Sequence, residues 1–200
     1  MLLSNVADNG ESYGQEQWDD AYIATLVVLG RHNGAQAHRW LCFENRLSVD
    51  HLRAFLKGLP DFEDVEAEDR ARAHALTYPD VLRSLHFFLK WSDLALAAQL
   101  VKARADELYG DQYELLTPAA YALREQHPIA ATLLWRAMID FVLIEGLASR
   151  YGHAACHLND CTAVAPEVDT FDAFSSHDQF VDELRVQHEH KSSFWAKFDA

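Results

Sequence analysis

The sequence predicts an all-α fold of stacked antiparallel helical hairpins, an α-solenoid, on three observations. Apolar residues recur at steps of three and four through nearly every stretch between turn signals. Only eight glycines and five prolines interrupt 200 residues, so the intervening segments are long enough for helices. No segment alternates polar and apolar residues long enough to make a strand. An irregular helical bundle is the alternative architecture.

The elements follow in order. Residues 1–16 are polar and glycine-containing and read as a flexible lead-in to one helical-repeat domain over residues 17–200. Trp18, Tyr22, Leu26 and Leu29 step by four, four and three, an apolar stripe on a first helix. Gly30 to Gly34 makes a turn, and Ala35 to Arg46 is a second helix carrying Trp40, Leu41 and Phe43. Ser48 suits the N-cap of a third helix holding Leu52, Phe55, Leu56 and Leu59, which Pro60 stops. Asp61 to Leu76 is polar on most sides, with Phe62, Val65 and Ala73 as its few anchors. Tyr78-Pro79-Asp80 opens the next helix with proline in the first turn, where a missing N–H costs nothing; Val81, Leu82, Leu85, Phe88 and Leu89 form its apolar side. Asp93 caps a helix to Leu108, Gly110 breaks it, and Tyr113 to Gln126 follows. Pro128 opens a long apolar helix ending near Ser149. Tyr151 to Ala165, Gln179 to His190 and a last turn from Phe194 to Phe198 complete the set.

A faint internal repeat accompanies these helices. Ala97-Ala98-Gln99-Leu100 recurs 33 residues later as Ala130-Ala131-Thr132-Leu133, and Gly34-Ala35-Gln36-Ala37 stands about two periods earlier. A period near 34 belongs to helix-turn-helix solenoids of tetratricopeptide type, and paired small residues suit helices in close approach.

Composition bounds the function. Seventeen basic against 31 acidic residues leave a net charge of −14, which repels phosphate backbones and anionic membranes, so direct binding of nucleic acid or membrane is not expected. Cys42, Cys156 and Cys161 are odd in number and lack framework spacing, which fits packed thiols in a reducing compartment. The amino terminus lacks the basic and apolar regions of a signal peptide, and Arg136, Asp140 and Glu145 break up the most apolar stretch, Ile129 to Ala148. A cytoplasmic location is expected.

The chemistry-bearing residues are few. His153 and His157 have chelating i, i+4 spacing, but Cys161 lies too far along the helix to join them, so no metal and no other cofactor is expected. His188-Glu189-His190 places its histidines on diverging faces. Arg136 and Asp140, one turn apart in the apolar helix, read as a mutually satisfied ion pair. Cys42, between Leu41 and Phe43, reads as packed rather than nucleophilic. Candidate interaction residues are Tyr22, Leu26 and Leu29 on the first helix, acidic Asp61, Glu63 and Asp64, and the tail rings Phe194, Trp195 and Phe198. The tail either hooks a partner or closes the chain's own stack, with Phe180 and Leu184 offering a platform for the latter.

The stretches "RWLCFENRLSVDHLRAFLKGLPDFEDVEAEDRA", "YELLTPAAYALREQHPIAATLLWRAMIDF", "SRYGHAACHL" and "HKSSFWAKF" resemble an uncharacterised all-helical bacterial family, catalogued as a domain of unknown function. Regions similar to it occur beside SWIM-type zinc fingers, whose cysteine spacing this chain lacks. The resemblance implies a helical-repeat fold, places this chain at the carboxy-terminal part of longer members, and implies no catalytic residues. The expected function is a non-enzymatic protein–protein interaction scaffold, binding a protein or peptide partner or a second copy of itself in a homodimer. The alternatives are a hydrolase or transferase with a histidine-lined pocket, and a regulatory domain beside a nucleic-acid-binding partner. Convergence of His153, His157 and a carboxylate in one pocket would favour the former.

Overall fold

The computed structural model describes residues 4–199, with side chains from Gly14 onward. Among the described residues there are eleven α-helices, three short 3₁₀ turns and no strand. No helix among them is long and apolar enough to cross a membrane. The chain gathers into two compact units, Met1–Thr77 and Tyr78–Ala200, where the sequence reads as one repeat domain.

Unit 1 contains α1 (Ser4–Val28), α2 (His32–Arg46), α3 (Val49–Leu56) and α4 (Glu63–Leu76), each packed on the next. Helix α1 reaches back through residues read as a lead-in, because glycine in a helix costs only about 1 kcal/mol relative to alanine and does not forbid it. Gly30, at φ 71°, ends α1: its N–H donates to the Val27 carbonyl and that of Arg31 to the Leu26 carbonyl, a left-handed cap that favours glycine. Ile23 and Leu26 bury against Ala35 of α2. The Trp40 ring lies 5.2 Å from Phe43 and 5.1 Å from Phe55, and the Arg70 guanidinium sits 3.8 Å above it.

One expectation fails in this unit and a second holds only in part. Helix α4 packs through Ala67, Ala71 and Ala75, one turn apart, whereas Phe62 is 85% exposed and Val65 and Ala73 also face solvent. Small side chains permit a close approach that Phe62, just before the helix with φ 77°, cannot share. Ser48 stands at the N-cap of α3, but its hydroxyl lies 2.7 Å from His51 Nδ1 instead of capping the backbone.

A polar cluster is buried where α1 meets α2. Asp19 is 3% exposed; its Oδ1 accepts from His38 Nε2 at 2.8 Å, and its Oδ2 accepts from an Arg46 guanidinium nitrogen. Burial pushes the Asp19 carboxyl up, but the hydrogen bonds from His38 and Arg46 and the Arg46 charge outweigh it, so Asp19 sits below its ordinary value. The buried Cys42 thiol beside it is pushed up to about 11 by burial and by the Asp19 charge, and so is not activated as a nucleophile.

Unit 2 contains α5 (Val81–Trp91), α6 (Leu94–Ala103), α7 (Tyr113–Leu123), α8 (Pro128–Ile144), α9 (Tyr151–Val164), α10 (His177–His188) and α11 (Ser192–Phe198). Asp80 caps α5, accepting from the backbone N–H groups of Leu82 and Arg83, so Pro79 lies before the helix and not in its first turn; Asp93 caps α6 by accepting from the backbone N–H of Leu96. The apolar helix α8 is the centre, packed against α6, α7 and α9 and burying Leu134, Trp135, Ile139 and Leu143 completely. Its repeated alanines meet a purpose: Ala97 and Ala98 on α6 and Ala130 and Ala131 on α8 are all buried, and these two helices pack together. Gly146, at φ 67°, ends α8 five residues after Phe141 and short of Ser149. Gly110 approaches α8 so closely that a Cβ there would stand 2.1 Å from the Ala137 carbonyl oxygen.

Arg136 and Asp140 do not pair as expected. Arg136 donates instead to the Ser175 carbonyl at 2.8 Å and the Ser176 carbonyl at 3.2 Å, and lies 4.4 Å from the Phe180 ring centre, tying the α9–α10 connection to α8. Asp140 is left with a carboxyl pushed up to about 6 by burial, with Glu183 adding and Arg136 opposing. Ser176 caps α10 in a full capping box with Gln179.

Candidate functional site

A cleft of about 470 Å³ opens in unit 2 between α7 and α9, both of which pack on α8. Its floor is apolar: Met138 and Val142 from α8 and Ala154 from α9 are buried there, and Pro118 from α7 lines its exposed side. Its polar rim comes from Tyr113 and Glu114 at the start of α7, Arg150 before α9, and His153 and His157 on α9. The local sequence explains this placement. Tyr113 and Glu114 sit in the first turn of α7, after the Gly110 approach pins that turn to α8. His153 and His157 share one face of α9 because they are four residues apart.

The rim is rich in donors. Arg150 lies 5.0 Å from the Tyr113 ring centre and donates to Asp111 Oδ1 at 2.9 Å. Burial, reinforced by His153 and opposed by Asp160, holds His157 below its ordinary value, so its imidazole is neutral at pH 7. Its Nδ1 is buried without a hydrogen-bond partner and stands 3.9 Å from Asp160 Oδ2, which accepts from the Tyr121 hydroxyl at 2.8 Å. Thr117 Oγ1 lies 3.4 Å from Met138 Sδ at the floor. Two imidazoles, a guanidinium and a phenol above a thioether and aliphatic floor can hold a flat apolar group bearing an acceptor head.

The structure brings some candidate residues together and separates others. His153 and His157 share the cleft with the Glu114 carboxylate, the convergence named for a hydrolase or transferase, but among the described residues no hydrogen bond joins Glu114 to either histidine; Cys161 turns into the core, and no third metal-capable side chain closes on the histidine pair. Leu26, read as an interaction residue, is core at 3% exposed, since its stripe faces α2; Tyr22 is half-exposed and stacked on Trp18, and Leu29 is exposed. Asp61, Glu63 and Asp64 are exposed around Phe62. Phe194 and Trp195 are buried, so neither is free for a partner; α11 packs on α9, Phe194 meets Tyr151 edge-on, and Trp195 Nε1 donates to the His188 carbonyl at 2.9 Å. Phe198 is half-buried 6.1 Å from Trp195, which is the geometry of a cap on the chain's own stack. Sequence reasoning missed Tyr113, Glu114 and Arg150 at the cleft and the Asp19–His38–Arg46 cluster. Only the i, i+4 spacing of His38 and Cys42 could have signalled the latter.

A family model described as "Family of unknown function (DUF6880)" matches residues 1–197. The chain belongs to this family. The match names neither tetratricopeptide repeats nor SWIM fingers, and no curated protein and no solved structure matches the DUF6880 chain.

Proposed function

We propose that this DUF6880 protein is a binding module whose α7–α9 cleft takes a small aromatic or aliphatic carboxylate, free or as a side chain of a peptide. The observation that carries this reading is the convergence of His153, His157, Arg150 and Tyr113 above Met138, Val142 and Pro118. The volume lies in the range of ordinary ligand pockets, roughly 300–1,000 Å³. Arg150 spends one N–H on Asp111 and keeps others, and these with the Tyr113 hydroxyl and the imidazole N–H groups offer donors to a carboxylate head, while the apolar floor takes the rest. The helical-hairpin reading supports it further: α5 meets α6 and α7, α6 meets α7 and α8, and α8 meets α9, a succession that leaves clefts over each shared helix. The test is a titration with benzoate and its alkyl analogues, following the ring protons of His153 and His157 by NMR. Saturable shifts at millimolar ligand, abolished by Arg150→Ala, support the reading, and unmoved histidine signals overturn it.

A second reading rests on unit 1. Phe62 and Val65 stand exposed amid Asp61, Glu63, Asp64 and Glu66, an apolar knob in an acidic ring. Together with the net charge of −14, this suits a basic protein partner with an apolar pocket. Trp18 and Val28 on α1 and Leu29 just after it form a further exposed apolar surface. A pull-down lost on Phe62→Ser supports a basic partner. Salt-insensitive self-association in sedimentation, unaffected by Phe62→Ser, assigns these faces to a homodimer instead.

A further inference from the structure

We propose that Asp19, His38 and Cys42 form a zinc-type metal site in unit 1, independent of the α7–α9 cleft. One carboxylate oxygen, one imidazole nitrogen and one sulfur lie within 4.8 Å of one another. A mixed O, N, S set of this kind suits zinc, which accepts all three donors, and suits calcium or magnesium poorly because they require oxygen.

The scaffold holds the donors in place. His38 and Cys42 are one turn apart on α2, so they project from one face, and Asp19 comes across from α1. The Trp18 and Tyr22 rings stack at 5.2 Å and meet the His38 ring edge-on, at 6.0 and 4.8 Å, which fixes its orientation. Cys42 is 2% exposed and fixed by the core, while the His38 side chain retains an edge to solvent by which an ion can enter.

The two oxygens of Asp19 are divided between two tasks. Oδ1 faces His38, and Oδ2 faces Arg46. An ion at Oδ1 therefore leaves the Arg46 bond in place, as the outer partner that orients a ligating carboxylate. Binding replaces the hydrogen bond from His38 Nε2 to Oδ1. The ring proton moves to Nδ1, the Nε2 lone pair and the Cys42 sulfur bind the ion, and the thiol proton passes to solvent. Ligands on zinc bonds of about 2.0–2.3 Å stand roughly 3.3 Å apart in a tetrahedron, so the present 2.8 Å separation must widen by about half an ångström. The zinc charge is matched by the carboxylate and thiolate, and Arg46 leaves a local excess of one positive charge. Three protein ligands leave a fourth position for water or an incoming group, as in the open class of zinc site.

The test uses cobalt(II) as a spectroscopic probe and zinc as competitor on the full chain. A near-ultraviolet thiolate-to-cobalt charge-transfer band is expected, displaced by zinc, retained in Cys156→Ser, Cys161→Ser and His157→Ala, and lost in Cys42→Ser. His38→Gln supplies an amide donor to Asp19, so it separates loss of the ion from loss of the fold. It should weaken zinc binding at least about tenfold, measured against a chromogenic chelator, while far-ultraviolet circular dichroism stays unchanged. Absence of the band, its survival in Cys42→Ser, or unchanged zinc affinity in His38→Gln overturns the proposal and leaves the cluster as a hydrogen-bonded clamp between α1 and α2. The benzoate titration reads a different unit, so either result stands without the other.

Discussion

Each unit draws an aspartate out of solvent, Asp19 almost wholly and Asp140 in part, and they do so in opposite ways. Asp19 in unit 1 is almost wholly covered and accepts from both His38 and Arg46, so its charged form is favoured despite burial. Asp140 in unit 2 lies one turn from Arg136, yet that guanidinium is committed to the Ser175 and Ser176 carbonyls and to the Phe180 ring. Burial then dominates, and the Asp140 carboxyl rises to about 6. Proximity of opposite charges in sequence does not decide pairing; the competing acceptors of the cation do.

The largest expected effect comes from breaking the satisfied case. Arg46→Met leaves Asp19 buried beside His38 alone and should destabilise the protein by about 3 kcal/mol, the lower end for an orphaned buried charge because Arg46 is partly exposed. Denaturant unfolding followed by tryptophan fluorescence measures it; a loss below 1 kcal/mol would mean the pair behaves as a surface bridge.

Relieving the desolvated case should have the opposite sign. Between about pH 4 and 6 folded Asp140 holds a proton that the unfolded chain has released, so stability falls as pH rises through that window. Asp140→Asn removes this cost and should stabilise at pH 7 by on the order of 1–2 kcal/mol, discounted for partial exposure, with the gain fading below about pH 4. Asp19, whose pKa is lowered, contributes stability that is present above its unfolded value and lost as pH falls through its folded one. Melting curves of Asp140→Asn and the parent across pH 3 to 8 test the contrast, and a pH-independent difference would refute it.

The smallest effect isolates the neighbours. The charged groups bearing on Asp140 are Arg136 and Glu183. Glu183→Gln removes the like charge and should shift the Asp140 titration downward by a few tenths of a pH unit, read from its carboxyl carbon by NMR. An upward or absent shift would show that burial acts alone.

Much of the fold was legible because helix periodicity and caps are local. The end of the first helix near Leu29, the helix from Ala35 to Arg46 and the Pro128 start appear in the structure close to where the pattern puts them, whereas α1 begins at Ser4, well before Trp18. Phe62 was misread because hydrophobicity alone names anchors, whereas α4 docks through alanines that only a neighbouring helix makes meaningful. The Arg136–Asp140 pair was misread because the acceptors that capture Arg136 lie 39 and 40 residues away. The cleft was half legible: His153 and His157 share a helix face, but Arg150 and Tyr113 join them only through the packing of α7 and α9 on α8.

The unequal burial of the three cysteines has a practical consequence. Cys156 is exposed on α9, while Cys42 and Cys161 are enclosed and their thiols are pushed far above the range where alkylation is fast. A maleimide dye should therefore attach at one position in the unaltered chain. That position adjoins His157, so the same label would report by its emission on whatever enters the α7–α9 cleft.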